Sequence, residues 1–216
     1  MTKSQKLKSG LRHPKRALDY LLHGKQRYYL LQAEKMEHNI RPAIPLEAHM
    51  VKPTDIHEHL ATLNMLTIEL GLKTVLELGT GTGETTIAFL DAAKKINGKV
   101  YSIDIDQCEE AHTKIKAYNL EKHWTFIREN SLKLKWDKPI DHLFIDTIHT
   151  YQHAIDELKK YEPYVRIGGL ITLHDIITWP GVMGAINDYN KNRQDLHPYK
   201  YFNNNGLAVI FKGSKR

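Results

Sequence analysis

The sequence predicts an α/β fold, doubly wound, with a mainly parallel sheet and helices on both faces. Strand-like apolar runs alternate with helical patterns of about 10–15 residues over 74–192, which is typical of βαβ units. Two short apolar runs surround the turn 203–206, so a C-terminal β-hairpin should add an antiparallel strand at or near one sheet edge. With 216 residues, 41% of them hydrophobic, the chain is long enough to bury a substantial core.

The elements follow one another in a regular order from residue 54 onwards. Asp55 and Glu58 are spaced like a capping box and should begin a helix that ends at Gly71. The seven predicted strands are 74–79, 99–104, 124–130, 141–146, 168–175 and the two arms of a hairpin within 200–212. The later predicted helices are 83–96, 107–120, 151–165 and 182–192. Together these elements predict a Rossmann-like sheet of seven strands.

Two segments precede this alternating region. The first, 1–16, holds six Lys or Arg residues and no acid, so this predicted basic, flexible tail accounts for the net charge of +6. The second, 17–53, combines apolar residues at helical spacing over 16–38 with an irregular, proline-containing connector over 39–53. We therefore expect a tail, an N-terminal helical extension with its connector, and one domain over 54–216.

The composition excludes several classes of protein. No apolar run approaches the roughly 20 residues of a membrane-spanning helix, and the first residues lack the apolar core of a secretory signal. The single cysteine, Cys108, excludes an internal disulfide framework and a cysteine-rich zinc site. We therefore expect a protein of the reducing cytoplasm without a membrane partner. The oligomeric state is left open, and a homo-oligomer is one alternative.

A glycine-rich turn, Gly79-Thr80-Gly81-Thr82-Gly83, follows the first strand, where open α/β sheets bind ligands. Glycines at this point allow a tight turn and a close approach of the backbone to a ligand. A dinucleotide fingerprint would need glycine at position 84, but the chain has Glu84. Together with Glu77 before the turn, this acid favours a cationic ligand with an ammonium and a sulfonium group. The alternative is a plain strand-to-helix turn.

Polar residues also end the next two strands. Asp104 ends the second strand, where a carboxylate can accept both hydroxyls of a ribose. Asn130 and Ser131 follow the third strand, and an asparagine side chain there can pair with the edge of an adenine. Because these residues and the glycine turn meet at the carboxyl edge of one sheet, they predict a nucleoside site.

Two carboxylates end the fourth and fifth strands. Asp146 and Asp175 would repel each other across one crevice unless one is protonated or a cation lies between them. A hard divalent ion such as Mg²⁺ resolves this repulsion. His174 is a candidate third ligand, and His149 is a candidate base for an acceptor hydroxyl. As alternatives, Asp146 contacts the amino group of the ligand, His174 is a buried structural histidine, and His149 only orients Asp146.

These motifs together resemble the class I S-adenosylmethionine-dependent methyltransferases over residues 74–175. Within them, Ile145-Asp146, His149 and Tyr151 match one pattern of the small-molecule O-methyltransferase group called methyltransferase 24. Gly168-Gly169 followed by His174-Asp175 matches the second pattern. The group is similar to catechol, macrolide-sugar and rhamnosyl O-methyltransferases. Where catechol-type relatives have Asp-Asn at the end of strand five, this chain has His174-Asp175.

The resemblance implies a role for each matching position. Glu77 and the glycine turn would hold the methionine part of S-adenosylmethionine, Asp104 the ribose, and Asn130 with Ser131 the adenine. Asp146 and Asp175 would bind the ion, Mg²⁺ being the expected choice. The residues expected to bind the cofactor are Glu77, Gly79, Thr80, Gly81, Gly83, Asp104, Asn130, Ser131 and Asp146. The expected metal ligands are Asp146, His174 and Asp175, and the expected catalytic residues are His149 and Asp146.

Three functions follow from this reading. The first is metal-assisted O-methylation of a small hydroxylated acceptor, such as a sugar or a phenol. The second is methylation of RNA, with the basic tail as the anchor, although a domain that is neutral outside the tail argues against a basic nucleic-acid groove. The third is a ligand sensor that has kept the fold without turnover. The glycine spacing disfavours hydride transfer. A lid over the acceptor, built from Trp179 and Tyr28-Tyr29, is a further expectation.

Overall fold

The computed structural model describes residues 45–214, and the chain divides between Lys52 and Pro53 into two units. In the first unit the described residues form helix α1 (Pro45–Val51). The expectation of an irregular connector is therefore wrong at these positions. Proline favours the first turn of a helix, where its missing N–H needs no partner, so Pro45 begins α1. The basic tail, the predicted helix over 16–38 and Tyr28-Tyr29 lie outside the described residues.

The second unit contains the alternating elements in the predicted order. Its helices are α2 (His57–Glu69), α3 (Glu84–Ile96), α4 (Glu109–Ala117), α5 (Tyr151–Tyr161) and α6 (Pro180–Asn190), with short 3-10 turns at Glu121–His123 and Glu162–Tyr164. Its strands are β1 (Thr74–Leu78), β2 (Lys99–Asp104), β3 (Trp124–Arg128), β4 (Ile140–Ile145), β5 (Val165–His174), β6 (Leu196–Tyr201) and β7 (Leu207–Lys212). No described helix has the length and apolar character needed to cross a bilayer.

The seven strands form one sheet in the order β3-β2-β1-β4-β5-β7-β6. The first five run parallel, and β7 is antiparallel to both β5 and β6, which confirms the C-terminal hairpin. The strand order reverses direction between β1 and β4, and open α/β sheets bind ligands at such a switch point. Leu78 pairs with Ile103 on β2 and with Ile145 on β4, so the carboxyl ends of three strands lie level there.

The central strands β1 and β4 are buried on both faces of the sheet. Four consecutive residues of β1 are buried, and consecutive strand residues point to opposite faces, so both faces of this strand are covered. Helices α2 and α3 pack against each other, as do α5 and α6. The packed helices hold the sheet in place, and the candidate site lies at the carboxyl ends of β1, β2 and β4.

The first turn of α2 is capped from the far end of the chain. The predicted Asp55–Glu58 capping box does not form, because Ile56 is the N-cap residue and makes no side-chain cap. The backbone N–H of Glu58 instead donates to Oδ1 of Asn204 at 3.0 Å, and the side-chain amide of Asn203 donates to Glu58 Oε2. The tip of the β6–β7 hairpin therefore holds the start of α2.

His142 is a buried, neutral histidine in the middle of the sheet. Its Nδ1 lies 2.9 Å from the hydroxyl of Thr67, and its Nε2 lies 2.9 Å from the hydroxyl of Thr172. Thr67 donates its own proton to the carbonyl of Leu63, so Nδ1 carries the imidazole proton and Nε2 accepts. Burial lowers the pKa of His142 from 6.5 to about 3.

This histidine should make the protein sensitive to acid. Below pH 6.5 the unfolded chain binds a proton that folded His142 does not, so stability falls by up to about 1.4 kcal/mol per pH unit down to about pH 3. The measurement is the free energy of urea unfolding at pH 7.5 and at pH 4.5. Between these two pH values it should decrease by about 2–3 kcal/mol less in His142→Gln than in the wild type. His197→Gln changes an exposed histidine and should match the wild type. Equal losses in all three proteins would contradict this assignment.

Candidate active site

Two cavities meet at the carboxyl ends of β1 and β4. The first has a volume of about 280 Å³ and is lined by Gly79, Gly81, Ile103, Asp104, Ile105, Asp106, Glu129, Asn130, Ser131, Asp146, Thr147, Ile148 and His153. The second has a volume of about 480 Å³ and is lined by Thr54, Asp55, Ile56, Gly79, Thr80, Gly81, Thr82, Glu84, Thr85, Asp146, His149 and Asp175. Gly79, Gly81 and Asp146 belong to both linings. A ligand that spans the two cavities must therefore pass these three residues.

The first glycine of the turn is required by its surroundings. Gly79 has φ +88°, and a Cβ atom there would lie 1.8 Å from the backbone carbonyl oxygen of Asp146. The backbone N–H of Gly79 donates to Ile103, and that of Asp146 donates to Leu78, so both sides of this contact are fixed by the sheet. The turn can pass this close to β4 only because residue 79 has no side chain.

Glu77 lies beneath the turn and lines neither cavity. It is fully buried, and its carboxylate accepts hydrogen bonds from the hydroxyls of Thr85, Thr86 and Ser102 at 2.5–2.7 Å. Burial raises the pKa of Glu77 to about 7, although the three hydroxyls act to lower it. The predicted contact of Glu77 with the methionine part stays a prediction, and the structure shows Glu77 bonded to protein hydroxyls. The residue ties β1 and β2 to the first turn of α3.

Gly83 likewise lines neither cavity. A Cβ atom at this position would lie 2.7 Å from the Cβ of Ala111, so the glycine allows α4 to pack closely against the start of α3. The predicted contact of Gly83 with the cofactor stays a prediction, and close packing of the two helices is the role that the structure shows. The other members of the turn that the sequence predicts, Gly79, Thr80 and Gly81, do line the cavities.

Asp104 lies between the turn and the first cavity. Its Oδ2 accepts the backbone N–H groups of Thr80 at 2.9 Å and Gly81 at 3.1 Å, and its Oδ1 accepts that of Asp106. Burial raises the pKa of Asp104, but these three N–H donors outweigh burial and leave the pKa below its ordinary value. The ionised carboxylate therefore holds the glycine turn, and its remaining lone pairs are available to a ligand.

Asn130 and Ser131 also line the first cavity, but their side chains already have protein partners. Oδ1 of Asn130 accepts the backbone N–H of Leu132 at 2.8 Å, and the hydroxyl of Ser131 donates to Glu157 at 2.5 Å. Sequence reasoning missed Glu157, His153 and Thr147 at this end of the cavity. The spacing of His153 and Glu157, four residues apart on one face of α5, was the available signal.

The two carboxylates at the ends of β4 and β5 lie between two histidines. On the outer side, Nε2 of His149 is 3.1 Å from Oδ1 of Asp146 and 3.1 Å from Oδ2 of Asp175. On the inner side, Nδ1 of His174 is 3.4 Å from Oδ2 of Asp146 and 3.6 Å from Oδ1 of Asp175. The structure thus brings together all four residues that the sequence singles out. Asp175 has φ +61°, a conformation that aspartate tolerates better than most residues.

The histidines and the carboxylates shift one another's pKa. The hydrogen bond to Asp146 raises the pKa of His149. Burial raises the pKa of Asp146, but both histidines outweigh burial and lower it. Burial also lowers the pKa of His174, but Asp146 and Asp175 raise it more. Burial and the neighbouring Asp146 raise the pKa of Asp175, against the lowering effect of the histidines. The cluster therefore favours a positive charge between the two carboxylates.

Two buried atoms of this cluster lack a hydrogen-bond partner among the described residues. They are Nδ1 of His174 and Oδ1 of Asp175. Nε2 of His174 faces the backbone carbonyls of Asp55 and Asn204, so it must carry the proton of the neutral ring. Nδ1 of that neutral ring then presents a lone pair to two carboxylates. Either a second proton or a cation satisfies this arrangement, so the donor atoms fit a metal ion.

A second set of three donors is available on the outer side. One atom each of Asp146, His149 and Asp175 lies within 4.8 Å of the others, as in a metal site. The two carboxylates belong to both sets, so the sets differ only in which histidine would be the ligand. His149 also stacks on the indole of Trp179, with ring centres 5.5 Å apart and an angle of 12° between the planes. Trp179, half of the predicted lid, therefore lies beside the candidate base.

A comparison with known protein families finds a match for the central part of the chain. The model of the methyltransferase 24 family, described as a methyltransferase domain, matches residues 76–176. No curated protein gives a significant match. The matched region begins in β1 and ends just after β5, so it contains every residue of the two cavities from Gly79 to Asp175.

Solved structures with the same fold include enzymes for different acceptors. A Staphylococcus aureus protein assigned as a caffeoyl-CoA O-methyltransferase has a TM-score of 0.68 and 19% identity, covering 86% of this chain and 98% of that one. A Clostridium thermocellum protein assigned as an rRNA methylase has a TM-score of 0.60 and 19% identity, covering 76% and 99%. The O-methyltransferase TomG of Streptomyces achromogenes, which acts in tomaymycin synthesis and was solved with S-adenosylmethionine, has a TM-score of 0.62 and 14% identity, covering 92% and 96%. At these identities the likeness concerns the fold.

Proposed function

We propose that this chain, as a class I S-adenosylmethionine-dependent methyltransferase of the methyltransferase 24 group, methylates a hydroxyl of a small acceptor. A divalent cation would assist the reaction. The observation that carries the proposal is the carboxylate pair Asp146–Asp175 between two histidines, at the wall that both cavities share. The cofactor's nucleoside would occupy the first cavity. Its methionine part and the acceptor would share the second.

This placement suits the chemistry of methyl transfer. The methyl group passes from the sulfonium sulfur to an acceptor oxygen in one in-line displacement, so positioning supplies most of the rate enhancement. The acceptor hydroxyl must lose its proton, and His149, half-buried in the lining of the second cavity, is the candidate base. A bound cation would lower the pKa of the acceptor hydroxyl. Asp146, Asp175 and His174 would hold that cation, and His149 would remain free to take the proton.

The donor set favours one class of cation. Mg²⁺ prefers oxygen ligands in near-ideal octahedral geometry, whereas an imidazole ligand suits transition metals better. With Nδ1 of His174 as a ligand, we expect Mn²⁺ to bind more tightly than Mg²⁺. Either ion would meet the unpaired atoms of His174 and Asp175.

A small acceptor also suits the charge of the cavities better than RNA does. Among the described residues, the two cavities are lined by the acids Asp55, Glu84, Asp104, Asp106, Glu129, Asp146 and Asp175 and by no Lys or Arg. Acidic walls attract a sulfonium and an ammonium group but repel phosphates. The RNA alternative depends on the basic tail, 1–16, which lies outside the described residues.

Calorimetric titration of cation into protein loaded with S-adenosylhomocysteine tests the proposal. We expect one site for Mn²⁺, a weaker one for Mg²⁺, and neither in the Asp146→Asn/Asp175→Asn variant. Transfer of labelled methyl groups to a panel of catechols, sugars and RNA should then show cation-dependent product with a small diol or phenol. Absence of cation binding to the wild type, or product with RNA alone, would overturn the proposal.

Asp104 should dominate binding of the nucleoside. In Asp104→Ala we expect affinity for S-adenosylhomocysteine to fall about 30-fold or more, because two charged hydrogen bonds to the ribose and the support of the turn are lost together. Asp106→Ala removes a charge from the same cavity without removing a bond to the turn, and its affinity should stay within about threefold. Calorimetry measures both. Unchanged affinity in Asp104→Ala would refute the placement of the nucleoside.

A further inference from the structure

We propose that Glu157 makes the residues at one end of the first cavity present only hydrogen-bond acceptors to a ligand. The cavity would thereby bind a 6-amino purine more tightly than a 6-oxo purine. This inference rests on the proposed placement of the nucleoside in that cavity. Glu157 touches no ligand in this scheme. It acts through three residues that line the cavity, so it is a positioning residue for cofactor selectivity.

Glu157 collects hydrogen bonds from three cavity residues. Its Oε1 accepts from the hydroxyl of Ser131 at 2.5 Å and lies 3.2 Å from Nε2 of His153. Its Oε2 accepts from the hydroxyl of Thr147 at 2.7 Å. Ser131, Thr147 and His153 all line the first cavity, whereas Glu157 is fully buried behind them.

The chemistry of these groups fixes the direction of every bond. Burial raises the pKa of the Glu157 carboxyl, and its bonds from Ser131, Thr147 and His153 act to lower it. The ionised carboxylate can only accept, and each hydroxyl has a single proton to give. Ser131 and Thr147 therefore give their protons to Glu157 and keep only lone pairs for a ligand. A neutral His153 carries its proton on Nε2 to reach the same carboxylate, so its Nδ1 is also left as an acceptor. Three neighbouring residues consequently offer acceptors to the cavity.

The position of Ser131 is held as firmly as its direction. Its backbone carbonyl accepts from the hydroxyl of Tyr161 at 2.5 Å and from Nζ of Lys160 at 2.8 Å. Lys160 and Tyr161 lie three and four residues after Glu157, on the same face of α5. One helix face thus fixes both the backbone and the hydroxyl of Ser131, and the hydroxyl cannot turn to serve as a donor without breaking its bond to a buried charge.

An end wall of acceptors discriminates between purines. The 6-amino group of adenine donates hydrogen bonds, whereas the 6-oxo group of hypoxanthine only accepts them. A carbonyl set against these lone pairs would be desolvated without a partner, and sites built for a hydrogen-bonding group reject analogues that lack it. We expect S-adenosylhomocysteine to bind at least about tenfold more tightly than S-inosylhomocysteine, its 6-oxo analogue.

Calorimetric titration of both compounds into three proteins tests the inference. In Glu157→Gln the side-chain NH₂ group can donate to the hydroxyl of Ser131 or of Thr147, so the proton of that hydroxyl becomes free to face a ligand. The preference should then fall to about threefold or less, while the melting temperature shows that the fold persists. Asp156→Asn alters the adjacent carboxylate, which accepts from Gln152 of the same helix, and should keep the preference of the wild type.

The outcomes separate this inference from the placement on which it rests. Equal binding of the two compounds to the wild type, or an undiminished preference in Glu157→Gln, would overturn the role of Glu157. If Glu157→Gln does not fold, Ser131→Ala and Thr147→Val each remove one acceptor, and a preference that survives both would overturn it as well. Asp104→Ala reports on the placement alone, because it should weaken both compounds by the same factor.

Discussion

Replacement of Gly79 by alanine should abolish binding of S-adenosylhomocysteine and remove about 3 kcal/mol or more from the free energy of unfolding. The new Cβ would lie 1.8 Å from the carbonyl oxygen of Asp146 and 2.7 Å from its carbonyl carbon. Both are backbone atoms held in the β1–β4 ladder, so no side chain can move aside. The turn or the end of β4 must shift, and Asp146 belongs to both cavities.

Gly81 provides the matched control. It also has positive φ, at +50°, but a Cβ atom there would meet nothing within 4 Å. Gly81→Ala should therefore cost only the strain of a left-handed alanine, about 1–2 kcal/mol, and leave a folded protein. Chemical unfolding and calorimetry compare the two variants. If both lose the same stability, the close approach to Asp146 is not what requires glycine at position 79.

Replacement of His149 by alanine should reduce turnover about 10²- to 10⁴-fold, the usual contribution of a general base. Affinity for adenosine, the nucleoside part alone, should stay within about threefold, because His149 does not line the first cavity. The measurement is the rate of methyl transfer to the best acceptor of the panel at saturating cation. Added imidazole should restore part of the rate if the missing group is a base.

Cation affinity in this variant separates the two sets of donors. If Asp146, His174 and Asp175 are the ligands, His149→Ala binds Mn²⁺ as the wild type does, and His174→Ala does not. The reverse result would make His149 a ligand and remove it as the base. His197→Ala, which alters an exposed histidine on β6, should leave both the rate and the cation affinity unchanged.

The order of the strands and the position of the site could be predicted from the sequence because both depend on local patterns. Apolar runs that alternate with helical spacing determine a parallel sheet, and its topology places the residues that follow parallel strands at one edge. Asp104, Asp146 and Asp175 were found in this way. Local patterns do not specify the direction in which each side chain points at that edge. That direction determines which of the predicted residues can reach a ligand.

Glu77 illustrates that limit. It pairs in register with Ser102 on β2, so the two side chains lie on one face of the sheet, beneath the first turn of α3. Thr85 and Thr86 of that turn donate the other two hydrogen bonds to Glu77. Because this contact depends on how α3 packs on the sheet, the sequence pattern alone does not predict it. Gly83 and Glu157 depend in the same way on how α4 and α5 pack, which no local pattern specifies.

The hydrogen bond between the tip of the β6–β7 hairpin and α2 also determines when the candidate active site can be completed during folding. Glu58 and Asn204 are 146 positions apart in the chain, and the residues just before α2 line the second cavity. During synthesis the β6–β7 hairpin must leave the ribosome before this bond can form. Contacts so distant in sequence form late and slowly. A nascent chain can therefore assemble much of its sheet while the wall of the second cavity that precedes α2 is not yet held in place.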